Sequence, residues 1–422
     1  MIVLRLRVWL MMMTACALMA GVVMAEEESV EPIASTQAER WRAMAVEAVD
    51  GVKFDGAWVR RVMPGEPGEQ AWLAQAFTVD QADLRSQMIF PLALAGDHEA
   101  VAAQIKQIEA LQKQIFHEDF QDELKWVRMF TAAGAGDDAK AAREIAGMIG
   151  VDDQAGAHAS RAYLLHQAGK KQEAARVITA EVMPRLLRLL PNAREGGEIS
   201  WVYASVLDIL LLMDDLAGAR RVYAMQAGMP EQASAAILLG LYEKAAGNND
   251  EANQLLGFAD AWLTQLNLPP GDIDADEVDG ALTTFLAYHA TRIALDGKTE
   301  EAHALRARLK HAEFDVLNSM WFESYYRLKQ NQPDEANRVA LFTLKMIDEK
   351  LADELTFERM YFGVAFGSLL VRTGYARANA ETLQKMFADH ANNPVRQLLH
   401  AGLLVGIATE MTRQEKLAEA KQ

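Results

Sequence analysis

A short unit of sequence recurs along most of the chain and constrains its fold more than any other feature. In this unit a glycine or asparagine stands five residues before an alanine, and an acidic residue directly precedes the alanine. It reads AGKKQEA at 168–174, AGNNDEA at 246–252, DGKTEEA at 296–302 and QNQPDEA at 330–336. Glycine and asparagine accept the left-handed conformation that ends a helix, and acidic residues stabilise the first turn of the next helix. We therefore predict that each unit joins two helices into a hairpin, with the alanine allowing close contact.

Weaker copies of the unit extend this pattern along the chain. Shortened versions stand at 96–100 and 136–139, and degenerate ones at 213–219 and 374–378. Ala139 and Ala174 are 35 residues apart, and Ala302 and Ala336 are 34 apart, whereas insertions lengthen other steps. Residues with high helix propensity are abundant and alternating β-branched runs are nearly absent. The sequence therefore predicts an all-α fold without a sheet.

One repeat carries a family resemblance. The stretch LGLYEKAAGNNDEA at 239–252, followed by Leu256 and Ala259, resembles a tetratricopeptide repeat (TPR). Leu239 and Gly240 match the position where neighbouring helices cross closely, but Thr264 replaces the closing proline of the family. The resemblance extends loosely over about residues 80–400 and implies an α-α superhelix, or solenoid, of stacked antiparallel hairpins.

The chain ends suggest export and capping. Arg5 and Arg7 precede an uncharged run at 8–25, which closes on small residues and is followed by three glutamates. This order is typical of a cleaved signal peptide at 1–25, so we expect a periplasmic or secreted protein. Two alternatives are an uncleaved anchor at 8–25 and a lipoprotein that begins at Cys16. We further predict an irregular helical cap at 26–78, TPR-like repeats at 79–392 and a capping helix at 393–422.

Composition excludes several chemistries. Cys16 is the only cysteine, so the cleaved protein would have no disulfide, thiolate nucleophile or cysteine-ligated zinc. The net charge is −17, and removal of Arg5 and Arg7 would leave −19. An acidic surface disfavours nucleic acid as a partner. After signal cleavage we also expect no membrane span.

Motifs for catalysis or cofactor binding are missing from the sequence. We find no nucleophile elbow, phosphate-binding loop or dinucleotide fingerprint, and the nine histidines show no metal spacing. We therefore predict no cofactor, no metal and no enzymatic activity. The acidic stretch DIDADEVD at 272–279 begins like a calcium loop, but Glu277 stands where the tight-turn glycine belongs. We interpret it mainly as a loop that caps a helix starting near Asp276, with weak calcium binding as the alternative.

Two further sequence features concern helix packing and binding. Gly402 and Gly406 form a GxxxG pattern in a run too short for a membrane span, so it indicates close helix packing. In the TPR register, the first helix of each hairpin lines the concave face. This register nominates six partner-binding positions: Tyr163, His166, Leu241, Lys244, Trp321 and Tyr325. The alternative is that these side chains belong to the core.

The function predicted from these features is a non-catalytic scaffold of the cell envelope or exterior. It would bind a protein or peptide partner along its concave face. One alternative is an α/α-toroid carbohydrate-active enzyme, either a glycosidase or a polysaccharide lyase. A weaker alternative is a structural part of a larger envelope assembly.

Overall fold

The structure is a computed structural model that describes residues 35–53, 56–57, 60, 67–194, 199–266, 268, 271–276, 278–350, 359–379, 383 and 393–421. The predicted signal peptide at 1–25 lies outside these residues, and with it Cys16 and the alternative anchor at 8–25. The described residues confirm an all-α fold. None of their helices is both long and apolar enough to cross a membrane.

Helices follow one another with short connections. The first ten are α1 (Ser35–Gly51), α2 (Pro67–Ala95), α3 (His98–Gln112), α4 (Gln121–Gly134), α5 (Asp138–Ala146), α6 (Val151–Gln167), α7 (Lys171–Val177), α8 (Met183–Arg194), α9 (Trp201–Leu212) and α10 (Leu216–Met225). The others are α11 (Gln232–Ala245), α12 (Asn249–Gln265), α13 (Gly280–Leu295), α14 (Thr299–Arg308), α15 (Glu313–Lys329), α16 (Pro333–Lys350), α17 (Arg359–Arg372), α18 (Tyr375–Ala378) and α19 (Pro394–Lys421). A 3₁₀ helix at Glu118–Phe120 precedes α4, and a π-helical segment at Ile178–Val182 joins α7 to α8.

The chain divides into two compact units. The first unit contains the described residues up to Arg185 and from Leu344 onward, and the second spans Leu186–Thr343. In the first unit α2, α4 and α6 pack in series, and α3 and α5 each fold back on the helix before them. In the second unit α9, α11, α13 and α15 pack in series in the same way. Successive hairpins therefore bury their apolar sides against their neighbours within each unit.

The predicted reversals are confirmed by the backbone. Gly247 and Asn331 end α11 and α15 with φ of 81° and 58°, in the left-handed region that the hairpin turn requires. The same conformation occurs at the other predicted positions, namely Gly96, Gly136, Gly169, Asp214, Gly297 and Gly374. Asp97, Asp137 and Asp215 then accept a backbone N–H as N-cap residues of the following helices.

The shortened turns differ from the prediction in register. Ala139 is exposed, whereas Ala141 is fully buried and stands five residues after Gly136. Val101 likewise stands five residues after Gly96 and is buried, while Ala100 is only half-buried. The spacing from the left-handed residue to the first buried side chain is therefore the same as in the complete units. One turn of helix after the N-cap fixes which side chain first faces the preceding helix.

The closest helix packing joins α17 and α19. A Cβ atom placed on Gly402 or Gly406 would collide with the carbonyl oxygens of Met360 and Val364. Reciprocally, a Cβ on Gly363 or Gly367 would collide with carbonyl oxygens of α19. The close packing predicted from the GxxxG pattern is therefore confirmed, and its partner is a second GxxxG pattern on α17.

The last helix is an interior element along most of its length. Ala401–Arg413 are all buried, and α19 packs against α1, α2 and α17. At its end the Arg42 guanidinium donates to Thr412 Oγ1 (3.0 Å) and Glu415 Oε2 (3.1 Å). The helix predicted for 393–422 corresponds to α19, and its buried stretch includes the polar residues Thr409, Glu410 and Arg413 as well as apolar ones. At the other end of the chain, α2 already begins at Pro67, so the predicted cap boundary at residue 78 falls inside a helix.

A short strand pairing interrupts the second unit. Strands β1 (Ile273–Asp274) and β2 (Leu309–Lys310) pair in parallel. The expectation of no sheet was therefore wrong, although this sheet contains only two residue pairs. The predicted helix start near Asp276 was also wrong. Helix α13 begins at Gly280, and Asp279 is its N-cap because its carboxylate accepts the N–H of Ala281 (3.0 Å). Asp276 instead forms a tight turn in which its N–H donates to Asp274 Oδ1.

Candidate functional site

The structure places five of the six predicted binding positions in the interior. The buried five are Tyr163, His166, Leu241, Trp321 and Tyr325. Lys244 is exposed and lies 3.7 Å from Asp296 Oδ1. A buried side chain is inaccessible to a partner that docks on the folded surface. Burial therefore favours the alternative that these aromatic residues belong to the core.

In the second unit the buried aromatic residues surround a lysine. The rings of Trp321 and Tyr325 stack with centroids 5.3 Å apart, and Tyr242 lies 6.1 Å from Tyr325. Lys329 Nζ lies 4.7 Å from the centre of the Tyr242 ring and 2.7 Å from Asp214 Oδ1. The cation is thus compensated by a carboxylate and by two aromatic faces. These contacts account for the cluster as part of the core.

Near the strand pairing, three side chains form a group that could hold a divalent cation. One ligand atom from each of Asp274, Asp276 and His311 lies within 4.8 Å of the others. His311 Nδ1 lies 3.0 Å from Asp274 Oδ1 and 3.4 Å from Asp276 Oδ2. Hydrogen bonding and charge at Asp274 raise the pKa of His311 above its usual value. A protonated imidazole would offset one of the two carboxylate charges without an ion, so these contacts are explained as an ion-pair cluster.

The first unit has two contrasting edges, and one of them holds a cavity. The C-terminal ends of α2, α4 and α6 meet around a cavity of about 160 Å³, with Phe90, Ala135 and Leu164 among its lining residues. Arg161 lies at the cavity and donates twice to Asp138, with both distances at 2.5 Å. These hydrogen bonds, ahead of other causes, lower the pKa of Asp138. The connections that precede α4 and α6 lie at the other ends of these two helices.

The connections before α4 and α6 are hydrogen-bonded to helices α2 and α6. The backbone N–H groups of Phe116 and His117 both donate to Gln75 Oε1 of α2, each at 2.9 Å. Trp72 Nε1 donates to Asp119 Oδ2 (3.2 Å), so the start of α2 contacts the start of α4. In the next connection, Gln154 Nε2 donates to the Met148 carbonyl oxygen (2.8 Å). Both connections are therefore held to rigid helices.

Each of these connections exposes a large apolar side chain. Phe116 is 80% exposed and Ile149 is 84% exposed, the highest values among the large apolar residues that the structure describes. Each precedes the start of one of two helices that pack side by side. The two side chains therefore stand in connections of the same unit.

Acidic side chains surround these two apolar residues. Six acidic residues that are not buried stand within or beside the two connections: Glu118, Asp119, Asp122, Glu144, Asp152 and Asp153. Three basic residues accompany them: Lys113, Lys125 and Arg143. We call this surface, together with Phe116 and Ile149, the apolar–acidic edge. It combines two exposed apolar side chains with an excess of acidic groups.

No family model, curated protein or solved structure matches the chain.

The apolar–acidic edge was not among the sequence predictions, although the sequence contains a signal for it. Phe116 and Ile149 stand between a helix end and acidic first-turn residues, in QIFHEDF at 114–120 and GMIGVDD at 147–153. A large apolar residue in such a connection has two possible roles, since it either packs under the connection or projects into solvent. Ile115 and Met148 take the first role, and their immediate neighbours take the second. The choice between adjacent residues depends on the backbone path, which sequence patterns do not resolve.

Proposed function

We propose that the protein is a non-catalytic scaffold that binds a protein or peptide partner through the apolar–acidic edge. The observation that carries this proposal is the exposure of Phe116 and Ile149 in two successive connections. A folded chain gains nothing in stability from an apolar side chain that remains in water. Clustered exposed apolar residues within a polar rim are typical of protein interaction sites.

The size of the anchors supports a binding role. Burial of one phenylalanine or isoleucine side chain contributes about 1.5–3 kcal/mol. Two such anchors would supply about 3–6 kcal/mol of a total near 8 kcal/mol for micromolar affinity. The binding free energy would thus be concentrated in two residues, as in many interaction surfaces.

The finer fold and the location are part of the same proposal. At seven of the predicted reversals a buried side chain stands five residues after the left-handed residue, and this recurrence supports a TPR-like superhelix. The basic, apolar and small-residue order at 1–25 supports export to the periplasm or exterior. Mass spectrometry of the protein from envelope and medium fractions tests export, and the expected mature chain begins at Glu26. A chain that retains residues 1–25 in the cytosol would contradict it.

The binding proposal is tested by capture from an envelope extract with matched variants. Wild-type protein and the double variant Phe116→Ser/Ile149→Ser are immobilised and compared by quantitative mass spectrometry. The control variant Leu187→Ser/Phe342→Ser removes two other exposed apolar side chains, both in the second unit. We expect specific partners to be retained by wild type and control and lost from the edge variant.

Two outcomes would contradict the proposal. One is an identical set of captured proteins for wild type and the edge variant. The other is a loss that is equally large in the control variant, because it would reflect general surface hydrophobicity. Far-ultraviolet circular dichroism confirms that each variant keeps its helical content.

A further inference from the structure

We infer that the apolar–acidic edge recognises a peptide segment that carries lysine or arginine next to aromatic or aliphatic side chains. This inference rests on the proposed function and names the chemistry of its partner. The anchors and the charges of the edge each specify one property of the bound segment.

The charge balance of the edge favours a bound segment that carries positive charge. Within and beside the two connections, six acidic residues that are not buried accompany three basic ones, and Arg185 Nε also donates to Gln154 Oε1 (3.3 Å). Three of the acidic groups already have local partners: Lys125 Nζ lies 2.7 Å from Asp122 Oδ1, His117 lies 3.4 Å from Asp119 Oδ2, and Asp153 also interacts within the protein. Glu118 and Asp152 stand at the starts of the 3₁₀ helix and α6, beside Phe116 and Ile149 in sequence. A segment with positive charges would therefore meet complementary charge beside each anchor.

The same charges exclude two other occupants. A second copy of the chain would bring the same negative edge, and its overall charge is −17. The chain's own residues 26–34 contain four glutamates and no basic residue, so they are repelled as well. Like charges placed opposite each other oppose association. The occupant that fits is a basic segment of another protein.

The two anchors specify the apolar part. Phe116 and Ile149 are both large, exposed apolar side chains in connections that precede neighbouring helices. The partner segment therefore presents two apolar side chains, flanked by lysine or arginine. Such a segment is amphipathic.

The test uses three synthetic peptides of equal length and the full-length protein. One peptide combines basic and apolar residues, the second replaces the basic residues with glutamate, and the third replaces the apolar residues with serine. Affinities are measured by isothermal titration calorimetry at low and at physiological ionic strength. We expect the basic–apolar peptide to bind at least about tenfold more tightly than either of the others.

Matched variants separate the edge from general attraction to an acidic protein. Glu118→Gln/Asp152→Asn removes two charges at the edge, and Asp250→Asn/Glu300→Gln removes two from first turns of α12 and α14. We expect only the edge variant to weaken the basic–apolar peptide and to reduce its salt dependence. Phe116→Ser/Ile149→Ser should weaken it by at least about tenfold.

The failures of the two proposals are distinguishable. Tighter binding of the glutamate peptide that still depends on Phe116 and Ile149 would overturn this inference and leave the scaffold proposal intact. Basic-peptide binding that both charge variants weaken equally would overturn it too. Vesicles of zwitterionic phosphatidylcholine are tested as a further probe. If the protein bound these vesicles through Phe116 but bound no peptide, the edge would be assigned to a lipid surface instead.

Discussion

Replacement of Gly402 by alanine tests the packing of α17 on α19. The added Cβ would be directed at the Met360 carbonyl oxygen, closer than real Cβ contacts occur. The obstructing atom belongs to the backbone of a helix, so a rotamer change cannot relieve the collision. The two helices must move apart, and this movement loosens contacts along their whole interface.

Two opposing contributions determine how much Gly402→Ala changes the free energy of unfolding. Alanine has a higher helix propensity than glycine, which stabilises the variant by about 1 kcal/mol. Overpacking in a rigid interior costs about 1–3 kcal/mol, and a backbone obstacle favours the upper end of this range. We therefore expect Gly402→Ala to lower the free energy of unfolding by about 2 kcal/mol. Gly402→Ala/Gly406→Ala should cost less than twice as much, because both methyl groups require the same displacement.

Urea unfolding followed by circular dichroism measures the effect, and the chain offers a matched control. Gly257 lies inside α12, and a Cβ placed there meets no atom within 4 Å. Gly257→Ala should therefore raise stability by up to about 1 kcal/mol, since only helix propensity changes. The proposed close packing would be refuted if Gly402→Ala were as stabilising as Gly257→Ala.

Three further substitutions test the reversals and the buried polar groups. Gly247→Ala should cost about 1–2 kcal/mol in urea unfolding, because φ is 81° there while the space around it is open. Asp83 is buried and its pKa is raised to about 6 by desolvation, so the wild type loses stability as the pH rises from about 4 to about 6. Asp83→Asn should remove this pH-dependent loss of stability, which is on the order of 3 kcal/mol. If the free energy of unfolding depended on pH in the same way for both proteins, this prediction would be contradicted. Arg306→Met should cost about 3 kcal/mol because it leaves Glu323, whose Oε2 lies 2.8 Å from the guanidinium, as a buried carboxylate with fewer partners. Addition of Glu323→Gln should restore part of that stability, and a double-mutant cycle measures the recovery.

The hairpin turns could be predicted because their determinants are local. A left-handed residue at Gly169 or Asn331 and the acidic residues after it lie within a few positions of each other. The incomplete turns were misplaced by one or two residues, since only the three-dimensional register identifies Val101 and Ala141 as the buried positions. Local chemistry therefore predicts where helices end better than it predicts which side chain faces the core.

For contacts between distant segments, the sequence predicted that a partner exists but not which segment it is. The GxxxG pattern at Gly402 and Gly406 indicated a close neighbour, but it did not identify α17 as that neighbour. His311 could not be associated with Asp274 either, because the contact spans 37 residues and depends on the β1–β2 pairing. A pattern shows that a surface needs a partner, whereas the identity of the partner depends on the whole fold.

The candidate site differs from the prediction for a related reason. A shift of one position along a helix rotates a side chain by about 100°, which is enough to move it from a groove into the core. Trp321 and Tyr325 were placed on the correct helix and share one face, but that face packs against Tyr242 and Lys329. Large aromatic residues fill the interior because they bury the most area per residue. In such a helical stack they are therefore weak indicators of a binding face.

The proposed binding role of the apolar–acidic edge depends on how firmly its connections are held. Association is opposed by the entropy lost when mobile side chains and loops become ordered. Here the connections are ordered before any partner arrives, because Gln75 holds the N–H groups of Phe116 and His117 and Gln154 holds the carbonyl of Met148. Two anchors on a fixed backbone lose mainly side-chain rotamer freedom on binding. The hydrogen bonds that fix these connections therefore also pre-organise Phe116 and Ile149 for the proposed partner.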